Sequence, residues 1–362
     1  MDYKNNKELL ISKSKVTSSG VHMIYKKSPN LVKGELDLVV QQDKKAEGQK
    51  ENPFDLPKDT INSEELAKMV RAQMGSPNID LSKSVTELED SFENEGATIK
   101  LYIYKPEGKT DKALPAVIYF HGGGFIGGKP EVVANACKGI AEKTPAVVIN
   151  VEYRLAPEFP APAAIKDAYE AVKWVVENGD KLGIDKRKII VGGDSAGGSL
   201  AMAATILDCE HETNLIGMQA LIYPAVCLEP AKSDEFSWPV DKYNPTPGYR
   251  KQLKEELNNF SKNMPLIMDV YVKKHDPNNA VFSPVLSDDF SKMPPTFMAI
   301  AEFDYLRPSE EKYVTKLAEA NVSVQTIFYE GIGHAFIDKY GIYPQAQDCI
   351  NEISLMINKV FN

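Results

Sequence analysis

The sequence predicts an α/β fold with a mainly parallel central sheet and helices on both faces. Short apolar runs rich in β-branched residues have the length of strands that are buried on both faces, namely 116–120, 146–151, 188–193, 218–224 and 296–301. Segments with apolar residues at helical spacing lie between these runs, and such an alternation of strand and helix is typical of parallel sheets. An irregular segment rich in proline and charge interrupts the alternation after residue 228, which indicates an insert over one end of the sheet.

The first part of the chain contains one clear helix signal. Residues 61–74 have apolar side chains at helical spacing, and Asn62 or Ser63 is suited to cap the first backbone N–H groups. Residues 41–53 are polar and rich in lysine, so we predict an exposed loop there. Between residues 97 and 106, apolar and polar side chains alternate, which indicates a strand with one buried face.

Each predicted helix of the alternating region has one apolar face. The segment 163–179 repeats apolar residues every three or four positions, and the residues that follow Ser195 do the same. A further strand is predicted at 324–329, between a helix at 308–320 and a final helix at 346–361. One apolar face on each helix is what packing against the two sides of a sheet requires.

The charge and composition exclude some classes of partner. The chain has 362 residues, of which 43% are hydrophobic and 26% charged, and its net charge is −9. Binding of nucleic acid needs a basic face, so we expect no nucleic-acid partner. No segment approaches the ~20 apolar residues of a membrane span, and the N-terminus has no signal-peptide core. We therefore expect a cytoplasmic protein with no membrane partner.

The four cysteines are expected to be free thiols. Cys137, Cys209, Cys227 and Cys349 are far apart in the sequence, and no two of them form a C-x-x-C pair. A chain of this length that depended on disulfides would normally contain more cysteines. Free and mostly buried thiols are the ordinary state of isolated cysteines.

The sharpest motif is GGDSAGG at 192–198, which follows a predicted strand and opens a predicted helix. Gly193, Ser195 and Gly197 match the G-x-S-x-G pattern, which is the nucleophile elbow of α/β-hydrolases. In such a turn the serine hydroxyl is held away from the chain, and side chains at the flanking positions would collide with the strand or the helix. Ser195 is therefore the candidate nucleophile, and for the motif alone a phosphate-binding turn is the alternative.

A second motif, HGGGF at 121–125, directly follows a predicted strand. Acyl transfer passes through a tetrahedral oxyanion, which backbone N–H groups stabilise when they point at the oxygen. Three successive glycines let the backbone approach the substrate closely. We assign the N–H groups of Gly123, Gly124 and Ala196 as donors, because Ala196 is the residue after the nucleophile. His121 is assigned a structural role in the loop.

The chain has five histidines, and His334 is the candidate general base. It lies in a glycine-rich loop just after a predicted strand, and active-site groups collect at the carboxyl ends of parallel strands. The carboxylate that orients the histidine follows the strand 296–301, where Asp304 is our choice and Glu302 the reserve. The order Ser195, Asp304, His334 is the one expected for α/β-hydrolases.

Together these motifs resemble the hormone-sensitive-lipase-like family of α/β-hydrolases, which includes bacterial carboxylesterases and acetyl esterases. The matching segments run in family order over about three-quarters of the chain: HGGGF (121–125), VEYRLAPEFPAPAA (151–164), GGDSAGGSLA (192–201), AEFDYLR (301–307) and GHAF (333–336). The resemblance implies an α/β-hydrolase catalytic domain at 97–228 and 284–362. It also implies a mostly helical cap, formed by the N-terminal region 1–96 and the insert 229–283.

The motifs predict a serine carboxylesterase that forms an acyl-enzyme and needs no metal and no cofactor. Phe125 and Phe336 flank the motifs and are candidates for the wall of an apolar acyl pocket, with ordinary core packing as the alternative. The resemblance to capped esterases implies small-molecule esters with short- to medium-chain acyl groups. The sequence leaves the oligomeric state open between a monomer and a homodimer.

Two other functions stay open at this point. A different acyl hydrolase, such as an amidase, a lactonase or a deacetylase of sugars or drugs, would use the same site. The second alternative is a ligand-binding receptor on a catalytically silent hydrolase scaffold; the plant gibberellin receptors resemble this family but lack the catalytic histidine. The presence of Ser195, Asp304 and His334 favours the enzyme.

Overall fold

A ten-stranded sheet forms the centre of the part of the chain that the computed structural model describes, residues 10–17, 20–47, 62–108, 112–228 and 239–361. In chain order the strands are β1 (Ile11–Val16), β2 (His22–Lys27), β3 (Val85–Asn94), β4 (Ala97–Pro106), β5 (Leu114–Phe120), β6 (Val147–Glu152), β7 (Ile184–Asp194), β8 (Met218–Ile222), β9 (Thr296–Phe303) and β10 (Val324–Gly333). Across the sheet their order is β1-β2-β10-β9-β8-β7-β5-β6-β4-β3. From β2 to β6 in this order the neighbours run parallel, while β1, β4 and β3 form antiparallel edges. The prediction of a mainly parallel sheet is confirmed.

Helices cover both faces of the sheet, as predicted. They are α1 (Leu38–Glu47), α2 (Ser63–Gln73), α3 (Pro130–Lys143), α4 (Ala163–Leu182), α5 (Ala196–Glu210), α6 (Pro247–Ile267), α7 (Arg307–Glu319) and α8 (Pro344–Phe361). Helices α3 and α8 pack on one face, and α4, α5 and α7 pack on the other. Parallel strands cannot be joined by a tight hairpin, so helices make the crossovers between them. No helix within these ranges is both long and apolar enough to cross a membrane.

The central strands are apolar on both sides because each face of the sheet has its own core. Along β7, Ile189 and Val191 belong to the core beneath α4 and α5. Ile190, which lies between them, belongs to the core beneath α3 and α8. All three side chains are fully buried. Burial on both faces is the reason that these strands appear in the sequence as continuous apolar runs.

Three described strands are absent from the sequence-based prediction, and they extend the sheet at both edges. β1 and β2 form an antiparallel hairpin, and β2 pairs in parallel with β10. At the opposite edge, β3 and β4 form a second antiparallel hairpin. The domain boundary expected at residue 97 therefore divides a hairpin. The sheet includes segments of the N-terminal region that we expected to contribute to the cap.

The N-terminal region also contains two helices. α2 begins where predicted, with Asn62 as its N-cap: the Asn62 side chain accepts from the Glu65 N–H, and the Glu65 carboxylate accepts from the Asn62 N–H. The loop predicted at 41–53 is wrong for residues 41–47, which belong to α1, and residues 48–53 lie outside the described part of the chain. The polar segment is helical because lysine, glutamine and alanine are good helix formers.

The described part of the insert, residues 239–283, is mostly helical, which fits the expected cap; residues 229–238 lie outside the description. It contains a 3₁₀ turn (Val240–Tyr243), α6 and a π turn (Met268–Val272). The Tyr243 hydroxyl donates a 2.9 Å hydrogen bond to the carbonyl oxygen of Asp304. Because Asp304 directly follows β9, the insert contacts the carboxyl edge of the sheet.

All four cysteines are free thiols, as their spacing predicts. Cys137, Cys227 and Cys349 are buried, and Cys209, in the last turn of α5, is half-buried. The buried thiols therefore act as small apolar side chains of the core.

Candidate active site

Ser195 lies in the turn between β7 and α5, and its backbone has a left-handed φ of 52°. A non-glycine residue with this φ is strained, so the surrounding structure has to hold it in place. The Ser195 N–H donates to the Ile222 carbonyl oxygen at 3.0 Å, and the Ser195 carbonyl oxygen accepts from the Ala225 N–H at 3.2 Å. The end of β8 and the loop after it therefore fix the turn that carries the serine hydroxyl.

The two glycines that flank Ser195 are required because the turn passes close to β5. A Cβ atom at either Gly193 or Gly197 would overlap the backbone carbonyl oxygen of Phe120. That carbonyl group belongs to the end of β5, so it cannot turn aside as a flexible side chain would. This steric requirement is the reason for the G-x-S-x-G pattern.

Ser195, His334 and Asp304 are far apart in the sequence, yet they are linked by hydrogen bonds. The Nε2 atom of His334 is 2.8 Å from Ser195 Oγ, and its Nδ1 atom is 2.6 Å from Asp304 Oδ2. Asp304 Oδ1 accepts from the Leu306 N–H at 2.9 Å, and the carboxylate is fully buried. The three residues follow β7, β10 and β9, so the carboxyl ends of three strands bring them together. This is the arrangement of a nucleophile, a base and an orienting acid.

The imidazole of His334 has a raised pKa although it is buried. Burial by itself lowers the pKa of this histidine. The charge of the Asp304 carboxylate and its hydrogen bond, together with the charges of Asp194 and Asp338, raise it by more. The ring of Tyr223 packs against the imidazole with 4.8 Å between the ring centroids. The Tyr223 hydroxyl also accepts from the Ile337 N–H at 3.1 Å. Tyr223, which is absent from the sequence-based prediction, therefore contacts both the candidate base and the loop that carries it.

The reserve acid, Glu302, does not lie beside the histidine. Its carboxylate accepts a 2.7 Å hydrogen bond from the Gly331 N–H, and burial raises its pKa to about 7. The Nη1 atom of Arg307 donates to the Glu302 carbonyl oxygen. The structure thus brings Asp304, and not Glu302, to the candidate base.

The HGGGF segment forms a tight turn after β5. Gly123 and Gly124 have φ angles of 128° and 61°, and the Gly123 carbonyl oxygen accepts from the N–H groups of Ile126 and Gly127. Within the described ranges, the Gly123 and Gly124 N–H groups donate no hydrogen bond. The Ala196 N–H opens α5, and the first N–H groups of a helix have no partner inside it. The donors predicted for an oxyanion are thus N–H groups that the turn and the helix do not use.

Asp194, the residue before the candidate nucleophile, connects the Ser195 turn to the HGGGF loop, and it is absent from the sequence-based prediction. Its Oδ1 atom accepts from the Gly122 N–H and from the Tyr119 hydroxyl, both at 3.1 Å. Burial raises its pKa to about 6, and these two hydrogen bonds act in the opposite direction. Asp194 therefore fixes the start of the loop relative to Ser195. The signal in the sequence for this role of Asp194 is its position inside the GGDSAGG motif.

His121 has a structural position at the start of the HGGGF loop. Its ring stacks on Tyr153 with 4.4 Å between the centroids, and its Nδ1 atom is 2.8 Å from the Gly122 carbonyl oxygen. The Tyr153 hydroxyl donates to the His121 carbonyl oxygen at 2.7 Å. Burial lowers the pKa of His121 to about 4, so this ring is neutral at pH 7 and shapes the loop through these contacts.

The two phenylalanines predicted for a pocket wall lie in different surroundings. Phe336 is fully buried and packs edge-on against Tyr223 and Tyr329, which is the core packing that the sequence left as an alternative. Phe125 stacks flat on Tyr271 of the insert, with 4.0 Å between the centroids. These two rings line a narrow apolar crevice between α5 and the insert, which is too tight to admit a sphere of the size of a water molecule. Of the two predicted phenylalanines, Phe125 borders this crevice and Phe336 does not.

Comparison with known proteins relates this site to esterases. A family model with the α/β-hydrolase fold matches residues 117–338. The chain is 31% identical to the esterase LipI of Mycobacterium tuberculosis over 69% of this chain and 74% of that protein. It is 32% identical to the ethyl acetate hydrolase of Pseudomonas putida over 79% of this chain and 84% of that protein.

Solved structures match the fold over most of its length. A hyperthermophilic esterase of the archaeon Pyrobaculum calidifontis has a TM-score of 0.69 at 31% identity, with 90% of this chain and 98% of that chain covered. A mutant of LAE6, an α/β-hydrolase enzyme from the metagenome of Lake Arreo, has a TM-score of 0.72 at 26% identity, with 90% and 96% covered. The chain therefore belongs to the hormone-sensitive-lipase-like family of α/β-hydrolases and is a carboxylic-ester hydrolase.

Proposed function

We propose that the chain cleaves short- to medium-chain acyl esters with Ser195 as nucleophile, His334 as general base and Asp304 as the orienting acid. The supporting observation is the pair of hydrogen bonds on one imidazole, 2.8 Å from Nε2 to Ser195 Oγ and 2.6 Å from Nδ1 to Asp304 Oδ2. A serine hydroxyl is a weak nucleophile until a base within hydrogen-bond reach removes its proton.

In the acylation step, Ser195 Oγ attacks the carbonyl carbon of the ester while His334 Nε2 takes the hydroxyl proton. The carbonyl oxygen becomes an oxyanion and accepts from the N–H groups of Gly123, Gly124 and Ala196. The bond to the alcohol oxygen then breaks, and His334 gives its proton to that oxygen. The alcohol leaves, and the acyl group stays on Ser195 as an ester.

In the deacylation step, water takes the place of the alcohol. His334 removes a proton from the water, whose oxygen attacks the acyl carbon, and the same N–H groups bind the second oxyanion. The bond to Ser195 Oγ breaks, and the serine regains its proton from His334. Throughout both steps Asp304 accepts the Nδ1–H, which keeps Nε2 facing the serine and stabilises the imidazolium.

The tight contacts around the apolar crevice leave no space for a long acyl group, which supports a short one. Phe125 and Tyr271 close this crevice, and Ser199, which also lines it, is one helical turn after Ser195. One relative is named an ethyl acetate hydrolase, a substrate with a two-carbon acyl group. A series of p-nitrophenyl esters from acetate to palmitate tests this range, with a maximum of kcat/KM expected among the shorter esters. A maximum at laurate or longer would contradict the proposal.

Replacement of Ser195 by alanine tests the nucleophile. We expect Ser195→Ala to lose p-nitrophenyl acetate hydrolysis by about 10⁶-fold and to resist labelling by a fluorophosphonate. Ser354→Ala is the matched control, because Ser354 is a buried serine of α8 whose hydroxyl donates to the Ile350 carbonyl oxygen of its own helix. Wild-type activity in Ser195→Ala would show that the assignment is wrong. A wild-type chain that the fluorophosphonate does not label would favour a silent receptor.

A panel of substrates, measured with the wild-type protein, distinguishes an esterase from the other acyl hydrolases. Amide, lactone and acetylated sugar substrates are compared with p-nitrophenyl acetate at equal enzyme concentration. We expect p-nitrophenyl acetate to have the highest kcat/KM, because p-nitrophenolate is a better leaving group than an amine, a sugar hydroxyl or the alcohol of a lactone. A higher kcat/KM for an amide or a lactone would replace the ester proposal while leaving the residue roles unchanged.

A further inference from the structure

Arg71, in the last turn of α2, places its guanidinium group against the HGGGF loop. Its Nε donates to the Ile126 carbonyl oxygen at 2.8 Å, and its Nη2 donates to the Ala156 carbonyl oxygen at 2.9 Å. Nη1 and Nη2 also donate to the two carboxylate oxygens of Glu158, both at 2.8 Å. One planar cation therefore joins α2 to two segments that are far from it in the sequence.

The two residues whose carbonyl groups bind Arg71 also form hydrogen bonds to the turn that contains Gly123 and Gly124. The Ile126 N–H donates to the Gly123 carbonyl oxygen at 3.2 Å. The Ala156 N–H donates to the Phe125 carbonyl oxygen at 2.9 Å. Arg71 therefore binds Ile126 and Ala156 at their C=O groups. The N–H groups of the same two residues bind carbonyl oxygens of the turn.

Helix α2 also packs directly on this turn. Leu66, Ala67 and Val70 are buried in the helix, so its position is fixed by apolar contacts as well as by the arginine. A Cβ atom at Gly127 would overlap the sulfur atom of Met74, the residue that follows α2. The loop and the end of the helix are therefore in close contact.

The other end of the same loop is held by Asp194, whose Oδ1 accepts from the Gly122 N–H at 3.1 Å. Gly123 and Gly124 lie between this point and the Ile126 carbonyl group that Arg71 binds. Glycine has more accessible backbone conformations than any other residue, so its N–H direction has to be set by its surroundings. Two fixed points, one on each side, provide this constraint.

We propose that Arg71 is a positioning residue for the oxyanion site. Through the Ile126 and Ala156 carbonyl groups it holds the Gly123 and Gly124 N–H groups in place, and it thereby couples α2 to stabilisation of the transition state. The inference rests on the proposed function, because it requires that these N–H groups bind an oxyanion. Arginine suits the role because its planar group donates in fixed directions to several acceptors, whereas lysine is a point charge on a flexible stem.

Kinetics of Arg71→Gln and Arg71→Lys test this role, with rates divided by the concentration of active sites that a fluorophosphonate titrates. We expect kcat for p-nitrophenyl acetate to fall about 10-fold in both, less than the ~10²–10³ that follows loss of a donor itself, with little change in KM. A boronic acid, which forms a tetrahedral adduct with a serine, should bind more weakly by a similar factor. The lysine variant keeps the positive charge beside Glu158 and serves if the glutamine variant does not fold.

Arg187→Gln is the matched control, because Arg187 donates to both carboxylate oxygens of Asp185 on the exposed surface, near the opposite end of β7 from Ser195. Its kcat should equal that of the wild type. A purely structural role for Arg71 would change the number of folded sites but not the rate of each, so an unchanged kcat per titrated site would overturn the inference. If Ser195→Ala keeps its activity, the proposed function fails; if it is inactive while both Arg71 variants keep kcat, only this inference fails.

Discussion

The Nδ1 atom of His334 lies 2.6 Å from Oδ2 of Asp304, whereas Glu302, two residues earlier in the chain, accepts from the Gly331 N–H. The two carboxylates therefore have different hydrogen-bond partners. We expect Asp304→Asn to lower kcat by about 10⁴-fold, because an amide does not stabilise the imidazolium and favours the wrong tautomer. Glu302→Gln keeps an oxygen atom for the Gly331 N–H and should retain most of the activity. Hydrolysis of p-nitrophenyl acetate measures both, and equal losses in the two variants would contradict the assignment.

The pH dependence of activity should follow His334. Burial lowers the pKa of this histidine, but Asp304, Asp194 and Asp338 together raise it by more, so the net pKa lies above the ordinary value of 6.5. The imidazole accepts the serine proton only when it is neutral. The value of kcat/KM should therefore increase with pH on the acidic side and reach half its maximum above pH 6.5. A profile at constant ionic strength measures this midpoint, and a midpoint well below 6.5 would be inconsistent with the raised pKa.

Glu310 should make the stability of the protein depend on pH. It is fully buried in the first turn of α7, and its carboxylate oxygens have no hydrogen-bond partner within the described ranges. Burial, and then the charge of Asp304, raise its pKa well above the ordinary 4.5. The free energy of unfolding is therefore highest below the pKa that Glu310 has in the unfolded chain. It falls as the pH rises from that value through the higher pKa of Glu310 in the folded protein.

Glu310→Gln should remove this loss because an amide does not ionise. The Tm of the variant should exceed that of the wild type by a margin that grows as the pH rises above the ordinary carboxyl pKa of 4.5, at up to ~1.4 kcal/mol of unfolding free energy per pH unit. Thermal unfolding followed by circular dichroism measures the margin. Glu319→Gln, at an exposed position on the same helix, is the control. A margin that is the same at every pH would show that Glu310 is not buried in a protonated form.

Gly197, two residues after the candidate nucleophile, should not tolerate a side chain. A Cβ atom at Gly197 would overlap the backbone carbonyl oxygen of Phe120, which belongs to β5. We expect Gly197→Ala to lower the unfolding free energy by about 3 kcal/mol or more and to abolish activity, since the turn has to shift. Gly217→Ala is the control, because its Cβ atom would approach the side chain of Phe361 at 3.0 Å, while the backbone oxygen of Ile189 would be at an ordinary contact distance of 3.6 Å. Denaturant unfolding compares them, and similar stability losses would refute the steric argument.

Tyr271 should limit the length of the acyl group. Its ring lies flat on Phe125 with 4.0 Å between the centroids, and together they border the crevice beside α5. Tyr271→Ala removes one of the two rings, so we expect kcat/KM to rise for octanoate relative to acetate esters. Tyr340→Phe, a buried tyrosine on the other face of the sheet, is the control and should leave this ratio unchanged. An unchanged ratio in Tyr271→Ala would place the acyl group elsewhere.

The central strands and the long helices could be predicted because burial constrains them at every position. A strand such as β7 faces a core on each side, so nearly every residue is apolar and the run is visible in the sequence. The edge strands β1 and β3 lack this signal, since their side chains are mostly exposed and polar. The helix at residues 41–47 was missed for the same reason, because an exposed helix can be polar nearly throughout.

The sequence by itself determined the candidate nucleophile, its base and the order of the three motifs, because the strained turn and the glycine loop are local features that short segments encode. Only the tertiary structure decided between Asp304 and Glu302, because the strand ends that surround His334 come from distant parts of the chain. The contacts of Arg71 with the HGGGF loop were likewise invisible in the sequence. A guanidinium group that binds backbone carbonyl oxygens has partners of no particular residue type, so no motif marks them.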